Sequence, residues 1–518
     1  MKKLSISLFA LLTAFTAHGQ FQNIRISDYN GANEPTICIN PYDTRQIMAG
    51  ANINRYYYSQ NGGYTWLQGI LTEPVLGVWG DPVIIADTQG DFYYFHLSNP
   101  PTGSWIDRIV CQKFNKNTGI WGAGTHMGLN GTKAQDKEWA VVNRTNNHIY
   151  VTWTQFDQYG ITSPTCYSNI MFSKSTDTGQ SWSPAVQINE VSGDCVDSDN
   201  TTEGAVPAVG PNGEIYVSWS GPVGIVFDRS ADGGVTWLIQ DIFVTAQPGG
   251  WNINIPGVYR CNGMPVTKCD LSDGPHHGTI YINYSDQSNG ANDTDVWLVK
   301  STDGGLTWTL PVRVNNDPPG KHQFFTWMDI DQTTGYLYFV FYDRRNYNDN
   351  QTDVYMAVSR NGGESFENIL ISESPFTPWA SVFFGDYNNI SSHNGIVRPI
   401  WTRMDNGSRS IWVAIADMNV GIPDEPMFPF NLEQNYPNPF QQTTYFGYKV
   451  IQPGRVHLAV YDQLGRMVAV LENNTFIERG RYEVFFDASA HDLAPGVYYF
   501  GLRSQDHFIN RKMVVASW

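Results

Sequence analysis

Five segments of this 518-residue chain repeat one pattern, Ser-x-(Asp/Asn)-x-Gly-x-x-(Trp/Phe). They run from Ser59 to Trp66, Ser175 to Trp182, Ser230 to Trp237, Ser301 to Trp308 and Ser359 to Phe366. A pattern repeated this often implies an array of like units and constrains the architecture before any other feature. A short Asp, Asn or Ser side chain hydrogen-bonds nearby backbone and closes a tight turn. The Gly supplies the positive φ that such a turn needs, and the aromatic residue packs against a neighbour. Strand-like runs flank the segments, such as 170–173 and 296–299, so each segment reads as a hairpin turn between antiparallel strands. A catalytic Asp has no reason to occur five times, so these are structural residues.

Counting strands finds more units than turns. Seven openings align: Glu34-Pro35, Asp81-Pro82, Glu138-Trp139, Val206-Pro207, Met264-Pro265, Thr326-Trp327 and Asp386-Tyr387. Regular second strands follow, such as 149–153 and 215–219. The second unit carries a degenerate turn near 115–121, and the seventh stops after a third strand at 411–415. Residues 23–27 can supply the missing strand, and closing a ring with both chain ends removes an exposed sheet edge. The repeated turn resembles the Asp-box, or BNR repeat, of sialidase-like β-propellers. That resemblance implies an all-β propeller over 20–418, with seven blades on this count. A six-bladed ring, as in sialidases proper, is the alternative.

The ends of the chain speak about export. Lys2 and Lys3, an apolar run over 4–15 and Ala17-His18-Gly19 read as a signal peptide spanning 1–19. No other apolar run is long enough for a transmembrane helix. Residues 419–435 are rich in Pro and read as a linker. Beyond it, Asn435-Tyr-Pro-Asn-Pro-Phe440, Val456–Asp462 with Leu464-Gly465-Arg466, and Lys512–Val515 resemble the C-terminal sorting domain of type IX secretion substrates from the Bacteroidetes. The alternating strands of 436–518 predict a small β-sandwich. The resemblance implies the type IX machinery as a partner and a secreted or surface location.

A net charge of −17 argues against nucleic acid as a partner. Residues 436–518 hold 8 Lys/Arg and 7 Asp/Glu, so the acidity belongs to the preceding part. Six cysteines allow 15 pairings. Cys166/Cys195 and Cys261/Cys269 are the closest in sequence, and buried free thiols are the alternative.

In a propeller the first strand of each blade starts at the top of the central channel and the second returns there, so the repeated turns lie at the bottom. Chemistry is therefore expected at the openings. Glu34, Asp81, Glu138 and Asp386 would make half of the mouth acidic, with Glu203 near it. Like charges this close raise one another's pKa or demand a cation, and paired carboxylates serve glycoside hydrolysis. Glu138, Asp81 and Asp386 are the candidate acid/base groups. Tyr342 is a candidate base for a polysaccharide lyase. Arg344, Arg345 and Arg403, at the ends of second strands, are candidate binders of an acidic sugar, because Arg forks hold carboxylates and sulfates. Glu34 joins them as a substrate-binding candidate. No cofactor is required. Ca²⁺ could bind at the mouth or at the Asp/Asn-rich loops 286–295 and 346–353. The sialidase resemblance also implies an Arg-Ile-Pro motif, but the nearest match, Arg25-Ile26-Ser27, lacks the Pro. The leading expectation is an exported carbohydrate-active protein, a glycosidase on acidic or complex glycans. The alternatives are a non-catalytic propeller that binds glycan or protein, and a lyase.

Overall fold

The computed structural model describes residues 21–27, 31–116, 118–418, 430–450, 453–463, 465–504 and 507–517. The signal peptide expected over 1–19 and residues 419–429 of the expected linker lie outside them. Contacts divide the chain into two units, one ending at Met418 and one after it.

The first unit is all-β. Among the described residues it contains seven four-stranded antiparallel sheets, one with a short extra strand. Their first strands are Thr36–Ile39, Gly80–Ala86, Ala134–Asn143, Glu203–Val209, Val266–Cys269, Gln323–Asp331 and Asn389–His393. Each touches the next in that order, and Asn389–His393 touches Thr36–Ile39, so the seven close into a ring. The fourth strand of the last sheet is Gln22–Arg25, paired antiparallel with the strand Ser408–Asp417. The N-terminal strand thus closes the ring, and the Arg25-Ile26-Ser27 segment lies on that outer strand or just after it.

Each sheet packs between two others, so the middle strands are buried on both faces. Residues 149–156 and 215–220 are wholly buried. Such strands read as nearly continuous apolar and aromatic runs, which is why the second strands were conspicuous in the sequence.

The repeated turns join third strands to fourth strands. In one of them Ser175 Oγ donates to Asp177 Oδ1 at 2.7 Å and accepts from the Gly179 N–H at 2.8 Å. Asp177 Oδ1 also accepts from the Ser181 N–H at 2.9 Å. These bonds hold the Asp177 carboxyl down to about 2, the Ser181 hydroxyl contributing most. The aromatic residue locks the sheet to its predecessor: Trp237 meets Phe172 edge to face at 5.0 Å, and Trp308 meets Phe227 at 5.1 Å.

Cys166 and Cys195 form a disulfide, whereas Cys261 and Cys269 remain separate buried thiols. The second pairing suggested by sequence proximity therefore does not form. Both residues sit on strands of different sheets, Cys261–Asn262 and Val266–Cys269.

The second unit is a sandwich. Phe430–Leu432, Thr443–Val450 and Gly480–Asp487 form one sheet, and Gly454–Tyr461, Met467–Ile477, Gly496–Ser504 and His507–Val515 the other. Phe446 and Phe500 stack between them at 4.3 Å. Phe430–Leu432 pair with Tyr448–Val450, and the Asn435 side chain donates to Thr444 Oγ1 at 3.0 Å. The folded unit therefore starts earlier than 436, inside the expected linker.

Candidate functional site

The openings of the first strands converge on one end of the channel, and a local backbone feature aims their side chains. In four sheets the first strand carries one extra residue, between Gly80 and Val83, Asp136 and Trp139, Glu203 and Val206, and Phe324 and Trp327. Such β-bulges bend a strand and re-aim a side chain. The bulges place left-handed residues at the channel mouth: Asp81 (φ 52°), Lys137 (φ 52°), Gly204 (φ 77°) and Phe325 (φ 50°). Glu34, at φ 50°, takes the same conformation at the first opening. Lys137, not Glu138, therefore stands where Asp81 stands in its own sheet. The aligned openings misplace the third sheet by one residue, because a bulge leaves no mark in an apolar pattern.

That shift changes the chemistry of the mouth. Lys137 Nζ donates to Asp386 Oδ2 at 2.8 Å and to Asp81 Oδ2 at 3.3 Å. Arg260 Nε donates to Asp386 Oδ1 at 2.7 Å, and its Nη2 donates to Asp386 Oδ2. Arg260 Nη1 also donates to Asp197 Oδ2 at 3.2 Å. Burial raises the Asp386 carboxyl, but Lys137 and Arg260 outweigh it and hold the group far below the usual range. Burial likewise opposes the charge of Lys137, and Asp386 and Asp81 override it and hold the ammonium well above its ordinary value. Glu34 accepts from the Asp386 N–H at 3.0 Å and from the Asn52 side chain. Burial, with Asp81 and Asp386 adding to it, pushes the Glu34 carboxyl well up.

The structure places Glu34, Asp81 and Asp386 in one network, and sequence reasoning missed Lys137 and Arg260, the cations between them. Lys137 directly precedes Glu138 and was legible as a charge. Arg260 lies on a loop with no repeat signal.

Glu138 lies beside this network and is 1 % exposed. Neither of its carboxyl oxygens has a hydrogen-bond partner, and the same holds for Glu203. Burial pushes both well above the usual carboxylate range, and burial also lifts Asp136 to about 7. Lys137 and Asp386 line a cavity together with Trp139, Trp327 and Tyr387, whose free volume of about 30 Å³ is that of roughly one water molecule.

The remaining candidates lie elsewhere with other partners. Tyr342 is buried among Phe324, Phe325, Phe376 and Phe384, and its OH donates to the Thr402 carbonyl at 2.8 Å. Arg344 is buried against the Phe324 ring and donates to the Pro256 carbonyl at 2.7 Å and Thr352 Oγ1 at 3.0 Å. Arg345 is paired with Asp343 at 2.7 Å and covers the Tyr355 ring. Arg403 holds Asp405 at 2.8 Å and the Ser374 carbonyl at 2.7 Å. The three guanidiniums bind their own and neighbouring segments, and none reaches the carboxylates of the mouth in any of these contacts. The acids of the two Asp/Asn-rich loops serve turns as well: Asp286 accepts from the Ser288 N–H at 3.0 Å, and Asp353 from Asn346 at 3.0 Å. Among the described residues no three His, Cys, Asp or Glu side chains gather to hold a metal.

Loops on the mouth side carry exposed rings. Trp79 precedes the second sheet, and Trp105 joins that sheet's second and third strands; they are 39 % and 44 % exposed and meet edge to face at 5.9 Å. Trp105 meets Tyr159 of the third sheet at 5.7 Å, and Tyr159 OH donates to Asp197 Oδ2 at 2.5 Å. Arg260 lies 5.0 Å from the Phe383 ring, which meets the exposed Tyr259 at 5.9 Å.

The comparisons with known proteins bear mainly on the C-terminal unit. Residues 434–516 match the family described as secretion system C-terminal sorting domain. No curated protein matches the chain in sequence. Among solved structures the chain is similar to a polysaccharide lyase of family PL25, an ulvan lyase (13 % identity over 77 % of this chain and 96 % of that one, TM-score 0.46). It is similar also to the Hadza microbial sialidase Hz136 (12 %, 72 % and 73 %, TM-score 0.41) and to the NanB sialidase from Streptococcus pneumoniae (8 %, 72 % and 83 %, TM-score 0.43). No described helix is long and apolar enough to cross a membrane. The chain ends in a type IX sorting domain, which directs it to the cell surface or into the medium.

Proposed function

We propose that the propeller is an exported glycan-binding module and that its mouth is not a catalytic centre. One observation carries this reading: the carboxylates nominated for catalysis are closed in, whereas Trp79 and Trp105 on the loops of the mouth side are exposed. Asp386 is bound by two cations and is 3 % exposed, so it is neither a free base nor a proton donor. The cavity that it lines has a free volume of about 30 Å³, close to that of one water molecule. General acid–base work needs a group within hydrogen-bond reach of the substrate. A face of solvent-exposed Trp and Tyr rings bounded by charged groups is instead equipped to bind.

Glycoside hydrolysis is the second reading. The unpartnered Glu138 carboxyl, pushed well above the usual carboxylate range by burial and by Asp81, favours it, since a carboxyl shifted upward is the kind of group that donates a proton. One experiment separates the two. The full chain is incubated with neutral, uronic and sialylated glycans, and products are assayed for reducing ends and for unsaturated uronic ends. Binding without turnover supports the module. Turnover that Glu138→Gln abolishes replaces it with hydrolysis.

A further inference from the structure

Two exposed indoles and the half-buried Tyr159 ring form an arc, and the charges along it decide what the arc can hold. Trp79, Trp105 and Tyr159 follow one another edge to face, the two indoles remaining partly open to solvent while Tyr159 also packs on Phe156. A pyranose has the complementary form: a face of C–H groups that packs on a ring, and a rim of hydroxyls that donate and accept. Polar groups stand where such a rim would fall, in Asp157, Asp197 and Arg260.

The cations near the arc are all matched by carboxylates. Lys133 pairs with Asp157 at 2.7 Å, Arg108 with Asp107 at 2.7 Å, and Arg260 with Asp197 at 3.2 Å and also with Asp386. Recognition of a sulfate or a uronate uses a guanidinium or ammonium free to pair with it. Here an anionic sugar would have to displace a built-in carboxylate, in a chain whose net charge is already −17.

We infer that the Trp79–Trp105–Tyr159 arc binds an uncharged pyranose polysaccharide, its rings stacking on the indoles and its hydroxyls meeting Asp157 and Asp197. This rests on the reading of the propeller as a glycan-binding module and adds to it the class of glycan and the place where it lies. Ion pairs, the Arg108–Asp107 pair largely buried, hold the loops of the arc in place, so little conformational freedom is lost on binding.

The test is native electrophoresis of the full chain through gels containing xyloglucan, galactomannan or mixed-linkage β-glucan, and through gels containing alginate or polygalacturonate. Retardation is expected in at least one neutral gel and in neither anionic gel. Trp105→Ala and Trp79→Ala should each weaken the retained interaction by about tenfold or more, the range of an aromatic anchor. Trp105→Phe should retain most of it, and unchanged melting of all three variants would exclude a folding defect. Retardation by the anionic gels alone, or neutral binding that neither Trp variant alters, overturns the inference and leaves the glycan-binding reading standing. No retardation in any gel overturns both.

Discussion

Lys137 Nζ lies 2.8 Å from Asp386 Oδ2, a residue 249 positions away in sequence and at the opening of the seventh sheet. The same ammonium reaches Asp81 in the second sheet. One side chain from the third sheet therefore ties three sheets together across the channel mouth. Removing one partner of a buried ion pair leaves an uncompensated charge, at a cost of about 3–5 kcal/mol. Lys137→Met should destabilise the propeller by about that much in urea unfolding at neutral pH, and Lys137→Arg by less. A loss below about 1 kcal/mol for Lys137→Met would show that Arg260 alone suffices to hold Asp386.

The buried acids make stability depend on pH in two opposite ways. Burial lifts Asp136 to about 7, whereas an unfolded Asp titrates near about 3.9. Between those values the folded chain holds a proton that the unfolded chain has released, so rising pH favours unfolding. The cost grows from about pH 4 and levels off near about pH 7, on the order of 4 kcal/mol for this one group. Asp386 works in the other direction. Its folded value is depressed, so its contribution is full above its unfolded value and fades as pH falls below about 4. Melting temperature measured from pH 3 to pH 8 should pass through a maximum near about pH 4–5, and Asp136→Asn should make the neutral limb shallower, Glu34, Glu138 and Glu203 sustaining the rest, and leave the acid limb unchanged.

Much of this architecture was legible because each unit repeats both a turn and an apolar strand. The turns Ser301–Trp308 and Ser175–Trp182 each need a short polar side chain, a left-handed Gly and a ring, and such local requirements are written in consecutive residues. The closing strand Gln22–Arg25 was legible as the complement of an incomplete last unit. The mouth was only half legible. Asp81 and Asp386 could be found at openings, but the bulge that turns Lys137 inward depends on pairing with a neighbouring strand. Arg260 reaches Asp386 from a loop, and Arg345 is neutralised by Asp343 two residues away. Which charges meet which is a tertiary fact that spacing does not encode.

The turn Ser301–Trp308 should tolerate no side chain at its second Gly. Gly305 has φ +88°, and a Cβ there would come within 2.2 Å of the Phe227 ring. That ring is locked by Trp308 at 5.1 Å. Gly305→Ala should therefore cost about 3 kcal/mol, overpacking added to left-handed strain. Gly131 has φ +61° but open space around it, and Gly131→Ala should cost only about 1 kcal/mol. Equal losses in thermal or urea unfolding would mean that backbone strain, and not the contact between sheets, sets the requirement.

Tyr342 offers a check on the lyase reading. Its OH serves the Thr402 carbonyl inside an aromatic cluster, and burial pushes the phenol well above its ordinary value. A phenol in that position does not give up its proton at neutral pH. Tyr342→Phe should cost about 1 kcal/mol of stability, the usual net worth of one hydrogen bond, and leave glycan retention in native gels unchanged. Loss of retention at unchanged stability would place Tyr342 in the binding site after all.

The Cys166–Cys195 disulfide couples stability to the Trp79–Trp105–Tyr159 arc. It closes a loop of 29 residues, and Gly160, next to Tyr159, donates its N–H to the Cys195 carbonyl at 2.7 Å. The bridge thus fixes the loop carrying Tyr159 beside Asp197, the acceptor of its hydroxyl at 2.5 Å. Loop-closure entropy for a bridge of this span is worth about 3 kcal/mol. The other thiols will not substitute for it. Burial pushes Cys38 and Cys269 up to about 12 and the Cys111 and Cys261 thiols higher still, and exchange needs a thiolate. Reduction, or the double substitution Cys166→Ser and Cys195→Ser, should lower unfolding stability by about 3 kcal/mol. It should also weaken retention by a neutral glycan, because Tyr159 loses its fixed place at the end of the arc. Lower stability with full retention would separate the two roles and restrict glycan contact to Trp79 and Trp105.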